Sequence, residues 1–162
     1  DMTKTYLNGY GWLYIMAIID RYDRSIVGYE INSRSRATEW LAAFDKAVKN
    51  RFPEGTRDQG LILQVDNGCQ PTSHKFVKEL STCDVALLYS AYATPEHNAH
   101  IERFFRTLKE EEIYYNLYET YSEAITSIEA YIDFYNNNRI HSALGYLTPA
   151  EYYQQSILQN VA

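Results

Sequence analysis

Apolar and polar positions along the chain change period several times, and each change marks an element. Trp12 to Asp20 and Ser25 to Asn32 read as two strands of a hairpin, joined by the polar turn Arg21-Tyr22-Asp23-Arg24. Residues 37 to 50 switch to helical spacing, with Trp40, Leu41, Phe44 and Val48 facing inward. Arg51 to Gly60 holds Pro and Gly and reads as a loop. Strand 61–66, helix 73–81 and strand 85–89 then form a β-α-β unit, whose right-handed crossover makes the strands parallel, adjacent or one apart. After a loop at 90–96, Ile101, Phe104, Phe105, Leu108 and Ile113 form a core-facing helical stripe. Thr94 is placed to cap that helix, with Pro95 at its first position. Thr120-x-x-Glu123 is a capping box before a helix bearing Ile125, Ile128, Ile132 and Tyr135. Thr148-Pro149-Ala150-Glu151 opens a terminal helix in the same way. Three antiparallel strands followed by alternating helices and strands predict a mixed α/β domain.

This frame puts three carboxylates in telling contexts. Asp66 closes the apolar run Leu61-Ile62-Leu63-Gln64-Val65 and precedes the turn pair Asn67-Gly68. A carboxylate at the C-terminal end of a buried strand stands at the mouth of an α/β sheet, where ligands bind. Glu102 lies on the helix, where Asn98, Glu102, Arg106 and Lys109 form a polar stripe beside the apolar one. Asp1 opens the strand-like Asp1-Met2-Thr3-Lys4-Thr5-Tyr6. Each has an ordinary explanation as well. Asp66 suits a turn, and Glu102 at i, i+4 from Arg106 suits a surface ion pair worth a few tenths of a kcal/mol.

Between Asp66 and Glu102 lie 35 residues, positions 67 to 101. The trio resembles the D, D-35-E signature of the integrase core of DDE transposases and retroviral integrases. Two further segments, Gly11-Trp12-Leu13-Tyr14 through Gly28 and Tyr135-Asn136-Asn137-Asn138-Arg139-Ile140-His141 through Glu151, are similar to bacterial insertion-sequence transposases rather than to the retroviral branch. Cys69 and His97 depart from that branch, where Ser or Thr and Asp are usual.

The resemblance implies a ribonuclease H-like fold with a five-stranded mixed sheet, in which Asp1 and Asp66 lie side by side on the first and fourth strands. It implies that Asp1, Asp66 and Glu102 hold two Mg²⁺ or Mn²⁺ ions, with Asp1 bridging, and that Asn98, Arg106 and Lys109 contact DNA. Retroviral integrases carry basic residues four and seven positions beyond the same Glu, at the DNA end. The implied reaction cleaves transposon or viral-like DNA ends and joins their 3′-hydroxyls to target DNA. A nuclease that only hydrolyses, or a core that binds without cutting, are the other readings. Homo-oligomers on DNA and a cytoplasmic, nucleoid-associated setting in bacteria are implied too.

Composition changes this picture at few points. A length of 162 residues suits one domain, and no stretch is long and uncharged enough to span a membrane. Cys69 and Cys83 make no disulfide framework, and with His74, His97, His100 and His141 they lack zinc-finger spacing. The net charge of −6 runs against the basic footprint expected of a nucleic-acid binder. An acidic metal site accounts for part of it, and DNA-binding domains upstream, as the resemblance implies, for the rest. Tyrosine is abundant at 16 residues, which suits core packing more than base stacking. A free α-amino group, with a pKa near 8, would set a cation beside a metal-binding carboxylate at Asp1. The expectation is therefore a core over residues 1–162, clipped within its first strand.

Overall fold

A computed structural model describes residues 1–66, 70–89 and 98–161, with the backbone alone for Asn160 and Val161. Strands β1 (Met2–Leu7), β2 (Gly11–Ile19) and β3 (Ile26–Asn32) form an antiparallel meander in that order. Alternation along β2 turns Leu13, Ile15 and Ala17 toward one core. That core is completed by α3 (Ala99–Leu108), through Ile101, Phe104 and Leu108, and by α4 (Tyr121–Asn137), through Ile128 and Ile132. Met16 points the other way, onto Trp40 and Phe44 of α1 (Ala37–Arg51). The meander is thus buried on both faces, which explains why β2 is apolar at successive positions near its end.

The β-α-β unit consists of β4 (Ile62–Val65), α2 (His74–Thr82) and β5 (Ala86–Tyr89). Its strands pair directly and in parallel, from Ile62 opposite Ala86 to Val65 opposite Tyr89. Phe76 and Leu80 of α2 pack with Val65 and Val85 in the second core, beside Trp40. All five expected strands are present, antiparallel first and parallel after. Their hydrogen bonds form two ladders, of three strands and two, rather than one continuous ladder.

Three local details depart from expectation. Asp23, read as part of a polar hairpin turn, is fully buried. Its carboxylate accepts from the Ser25 N–H at 2.8 Å and hydroxyl at 2.5 Å, and from Arg51 Nη2 at 2.5 Å. A buried charge persists only when paired and hydrogen-bonded, and Arg51, stacked 3.8 Å from the Tyr153 ring of α5 (Pro149–Val161), supplies the partner. Helix α3 begins at Ala99 with Asn98 at its cap; the expected cap residues Thr94 and Pro95 lie outside the described residues. The helix then widens into a π turn at Lys109–Ile113 instead of continuing as α-helix.

The capping box at Thr148 forms as expected, whereas at Thr120 the hydroxyl caps the helix but Glu123 reaches back to the residue before the cap. Thr120 Oγ1 accepts from the Glu123 N–H at 3.1 Å, and the Glu123 carboxylate accepts from the Glu119 N–H at 2.7 Å. Thr148 and Glu151 exchange hydrogen bonds at 2.9 and 3.2 Å at the start of α5. In the last turn of α4, Asn136 grips both backbone groups of Ile26, at 2.8 and 3.0 Å. The C-terminal segment is thereby fastened to the first strand meander.

Candidate active site

Asp1 is placed by backbone pairing. Its amino group and carbonyl bond the carbonyl and N–H of Ala17, at 3.0 and 2.9 Å, and its side chain accepts from the Met2 N–H at 2.6 Å. Asp66 follows β4 directly, beyond buried Val65. Glu102 stands exposed in the first turn of α3, whose opposite face is pinned by buried Ile101, Phe104 and Phe105. This apolar anchoring fixes the backbone from which Glu102 projects.

Asp1 borders two cavities. The larger, about 460 Å³, has Asp1, Asp66, Asp20, Asn98 and His100 around an apolar floor that includes Trp40, Phe44 and Phe76. The smaller, about 340 Å³, is lined by Asp1, Glu102, Phe105, Arg106, Lys109 and Tyr114, among others. Asp66 thus shares one cavity with Asp1, and Glu102 shares the other. Burial lowers the His100 imidazole, helped by the charges of Arg24 and Arg21.

The donor set is carboxylate oxygen throughout, the chemistry that hard divalent cations take. As the side chains stand, no group of three His, Cys, Asp or Glu among the described residues is close enough to hold an ion.

The expected polar stripe divides between the cavities. Glu102, Arg106 and Lys109 share the smaller one, and Asn98 lines the larger. The Glu102–Arg106 ion pair that the spacing allows gives way to another: Arg106 Nε bonds Glu110 Oε1 at 2.8 Å, one turn further on. The hydrogen bond that Arg106 donates to Glu110, then the charge of that carboxylate, raises the Arg106 guanidinium. Asp20, which also lines the larger cavity, caps the hairpin turn by accepting from the Tyr22 N–H at 2.8 Å. Cys69 and His97 lie outside the described residues. Tyr114 is the residue of the smaller cavity that sequence reasoning passed over. It lies beyond the helical stripe, at the end of the π turn, and lines the same cavity as Asp1.

A family model described as integrase core domain matches residues 1–95, and a second with the same description matches residues 83–149. The chain belongs to the integrase core domain family. An insertion sequence IS904 transposase of Lactococcus lactis is 34% identical over 143 residues, 88% of this chain and 55% of that protein. A putative IS150 transposase of Escherichia coli, InsK, is 29% identical over 161 residues, 99% of this chain and 55% of that one. The chain spans about half the length of these curated relatives. Among solved structures, the catalytic core domain of BIV integrase superposes with a TM-score of 0.71 at 19% identity, covering 99% of this chain and 96% of that one. An HTLV-2 integrase catalytic core, solved in complex with magnesium, gives 0.69 at 15% identity, covering 94% of this chain and 91% of that one.

For this integrase core, the structural likenesses establish the ribonuclease H-like fold that the element order and the resemblance implied. The relatives are insertion-sequence transposases, the branch indicated by the segments at 11–28 and 135–151. Among the described residues, no helix is long and apolar enough to cross a membrane.

Proposed function

We propose that the chain is the catalytic core of a DDE transposase, a polynucleotidyl transferase that cleaves transposon DNA ends and joins their 3′-hydroxyls to target DNA. The observation that carries this reading is the position of Asp1, shared by a cavity holding Asp66 and a cavity holding Glu102. Asp1, Asp66 and Glu102 are the residues that would hold Mg²⁺ or Mn²⁺, two ions per site. Such ions supply activation of the attacking oxygen and neutralisation of the leaving one in an in-line displacement.

The chain's own residues do the remaining work. Lys109 and Arg106 offer cations along the wall of the Glu102 cavity, where phosphate oxygens of a DNA end would be positioned without reading sequence. Asn98 supplies a neutral donor beside Asp66. Helix α3, held by its buried face, keeps Glu102 and the cations in fixed register. In the longer protein, DNA-binding domains upstream would supply the basic surface that a charge of −6 lacks, and copies would assemble on DNA at the bacterial nucleoid.

The decisive experiment incubates the full-length protein with labelled transposon-end DNA, target DNA and Mg²⁺. Cleaved ends and joined products are expected. Hydrolysis without joining would replace the transferase with a nuclease, and binding with neither product would leave a non-catalytic core.

A further inference from the structure

We infer that Tyr114 is a stacking platform for an unpaired nucleobase at the DNA end, a role that rests on the DNA-end reading above. Tyr114 lines the same 340 Å³ cavity as Asp1, Glu102, Arg106 and Lys109, yet its side chain is 71% exposed. A large aromatic left open to water beside carboxylates and cations is ill suited to core packing and well suited to a ligand that is both flat and anionic. A nucleotide is such a ligand: its phosphate meets Lys109 and Arg106 while its base offers a π-face to the ring.

The ring is presented by a fixed backbone. The Tyr114 N–H bonds the Lys109 carbonyl at 2.9 Å, closing the π turn. A π turn in place of an α turn shifts every later residue around the helix axis, and such turns concentrate at functional sites. Here Tyr114 ends that turn at the cavity. Its neighbour Tyr115 is more exposed still, at 82%, but does not line that cavity. The two tyrosines thus form a natural contrast between position and mere exposure. Paired bases inside a duplex are already stacked on both faces, so the occupant is a frayed or single-stranded nucleotide next to the scissile phosphate.

The test uses a fork-ended DNA of mixed sequence with 2-aminopurine in its unpaired nucleotides, bound to the full-length protein in Ca²⁺. Stacking on tyrosine changes the probe's fluorescence, whereas phosphate contacts alone do not. The signal is expected with wild type, Tyr114→Phe and Tyr115→Ala, and is expected to vanish in Tyr114→Ala with affinity for the fork down by about tenfold. Affinity for a blunt duplex should fall far less. An unchanged signal in Tyr114→Ala, or equal loss in Tyr115→Ala, overturns the inference while leaving the transferase reading intact. Loss of self-association in Tyr114→Ala without DNA, with an unchanged probe signal, makes the ring a protein contact and also overturns it. Failure of wild type to bind any of these DNAs removes both readings.

Discussion

Arg139 holds Glu111 through two parallel hydrogen bonds, Nε to Oε2 at 2.9 Å and Nη2 to Oε1 at 2.7 Å. Tyr131 adds a third, its hydroxyl donating to Glu111 Oε2 at 2.7 Å. Glu111 sits in the π turn at the far end of the helix that carries Glu102, so residues of the C-terminal segment clamp that helix in place. The acidic run Glu110-Glu111-Glu112 is divided among separate partners. Glu110 takes Arg106, Glu111 takes Arg139 and Tyr131, and Glu112 takes Tyr118 and Ser127.

Arg139→Ala is expected to lower stability by about 1–2 kcal/mol, since a bidentate pair exceeds an ordinary surface bridge. Arg139→Lys should recover little of it, because an ammonium cannot make the planar two-bond contact. The hydrogen bond from Arg139 is the largest influence on Glu111 and, despite opposing burial, its carboxyl is held below its ordinary 4.5. A depressed carboxyl contributes stability above its unfolded value and loses it as pH falls through the folded value. Urea unfolding of Glu111→Gln between pH 3 and pH 6 should therefore show a shallower acid decline than wild type. Superimposable curves would detach Glu111 from the acid response.

Gly28 in β3 lies flat against α1. A methyl added there would stand 2.3 Å from the Ala43 carbonyl oxygen, 2.5 Å from the Ala47 nitrogen and 2.7 Å from the Ala47 Cβ. Two of these are backbone atoms, which cannot turn aside. Gly28→Ala must push the helix from the sheet, and a loss of at least about 1–3 kcal/mol is expected by analogy with overpacked cores. Thermal melts that match wild type would show that α1 moves freely over the sheet.

Periodicity made α1 legible because one stripe of Trp40, Phe44 and their neighbours meets a single sheet face. Helix caps were legible because Thr120 with Glu123, and Thr148 with Glu151, act within four residues. The carboxylates were legible through context: Asp66 at a strand end, Glu102 opposite an apolar stripe. Long-range polar pairing left no local trace. Nothing near Asp23 announces Arg51, 28 residues on, so burial of that turn was not readable. The π turn leaves a faint trace in Ile113, which stands five residues beyond Leu108 and so departs from the i+3 or i+4 spacing of an α-helical stripe. Arg106 faces acids at both i−4 and i+4, and only the fold decides that Glu110 wins. The split into two ladders depends on pairing between strands, which hydropathy does not encode.

Glu102→Gln keeps side-chain volume and hydrogen bonding but removes the charge. Because Glu102 is exposed on a helix anchored elsewhere, its stability should stay within about 0.5 kcal/mol of wild type. Cleavage and joining by the full-length protein in excess Mg²⁺ should both be lost. Activity within a few-fold of wild type, with an unchanged melting curve, would remove Glu102 from the site.

The cations beyond Glu102 allow a sharper separation, because both line the cavity but they differ in burial and in the pairing of Arg106 with Glu110. Arg106 is bonded to Glu110 at the surface, while Lys109 is half-buried. Removing one cation that neutralises a phosphate should reduce the slope of log affinity against log salt by about 0.9 on duplex DNA. Replacing both with Ala should therefore flatten the slope by up to about 1.8. The single substitutions are not expected to be equal. Arg106→Ala also releases Glu110, whose freed carboxylate repels DNA, so affinity should fall further than for Lys109→Ala at low salt and converge with it as salt screens the repulsion. Adding Glu110→Gln to Arg106→Ala should recover that excess and leave only the deficit of one phosphate-binding cation. Binding isotherms at four or five salt concentrations check the single, double and compensated variants. Slopes and affinities that stay at the wild-type values would reduce these two side chains to a solvated helix face.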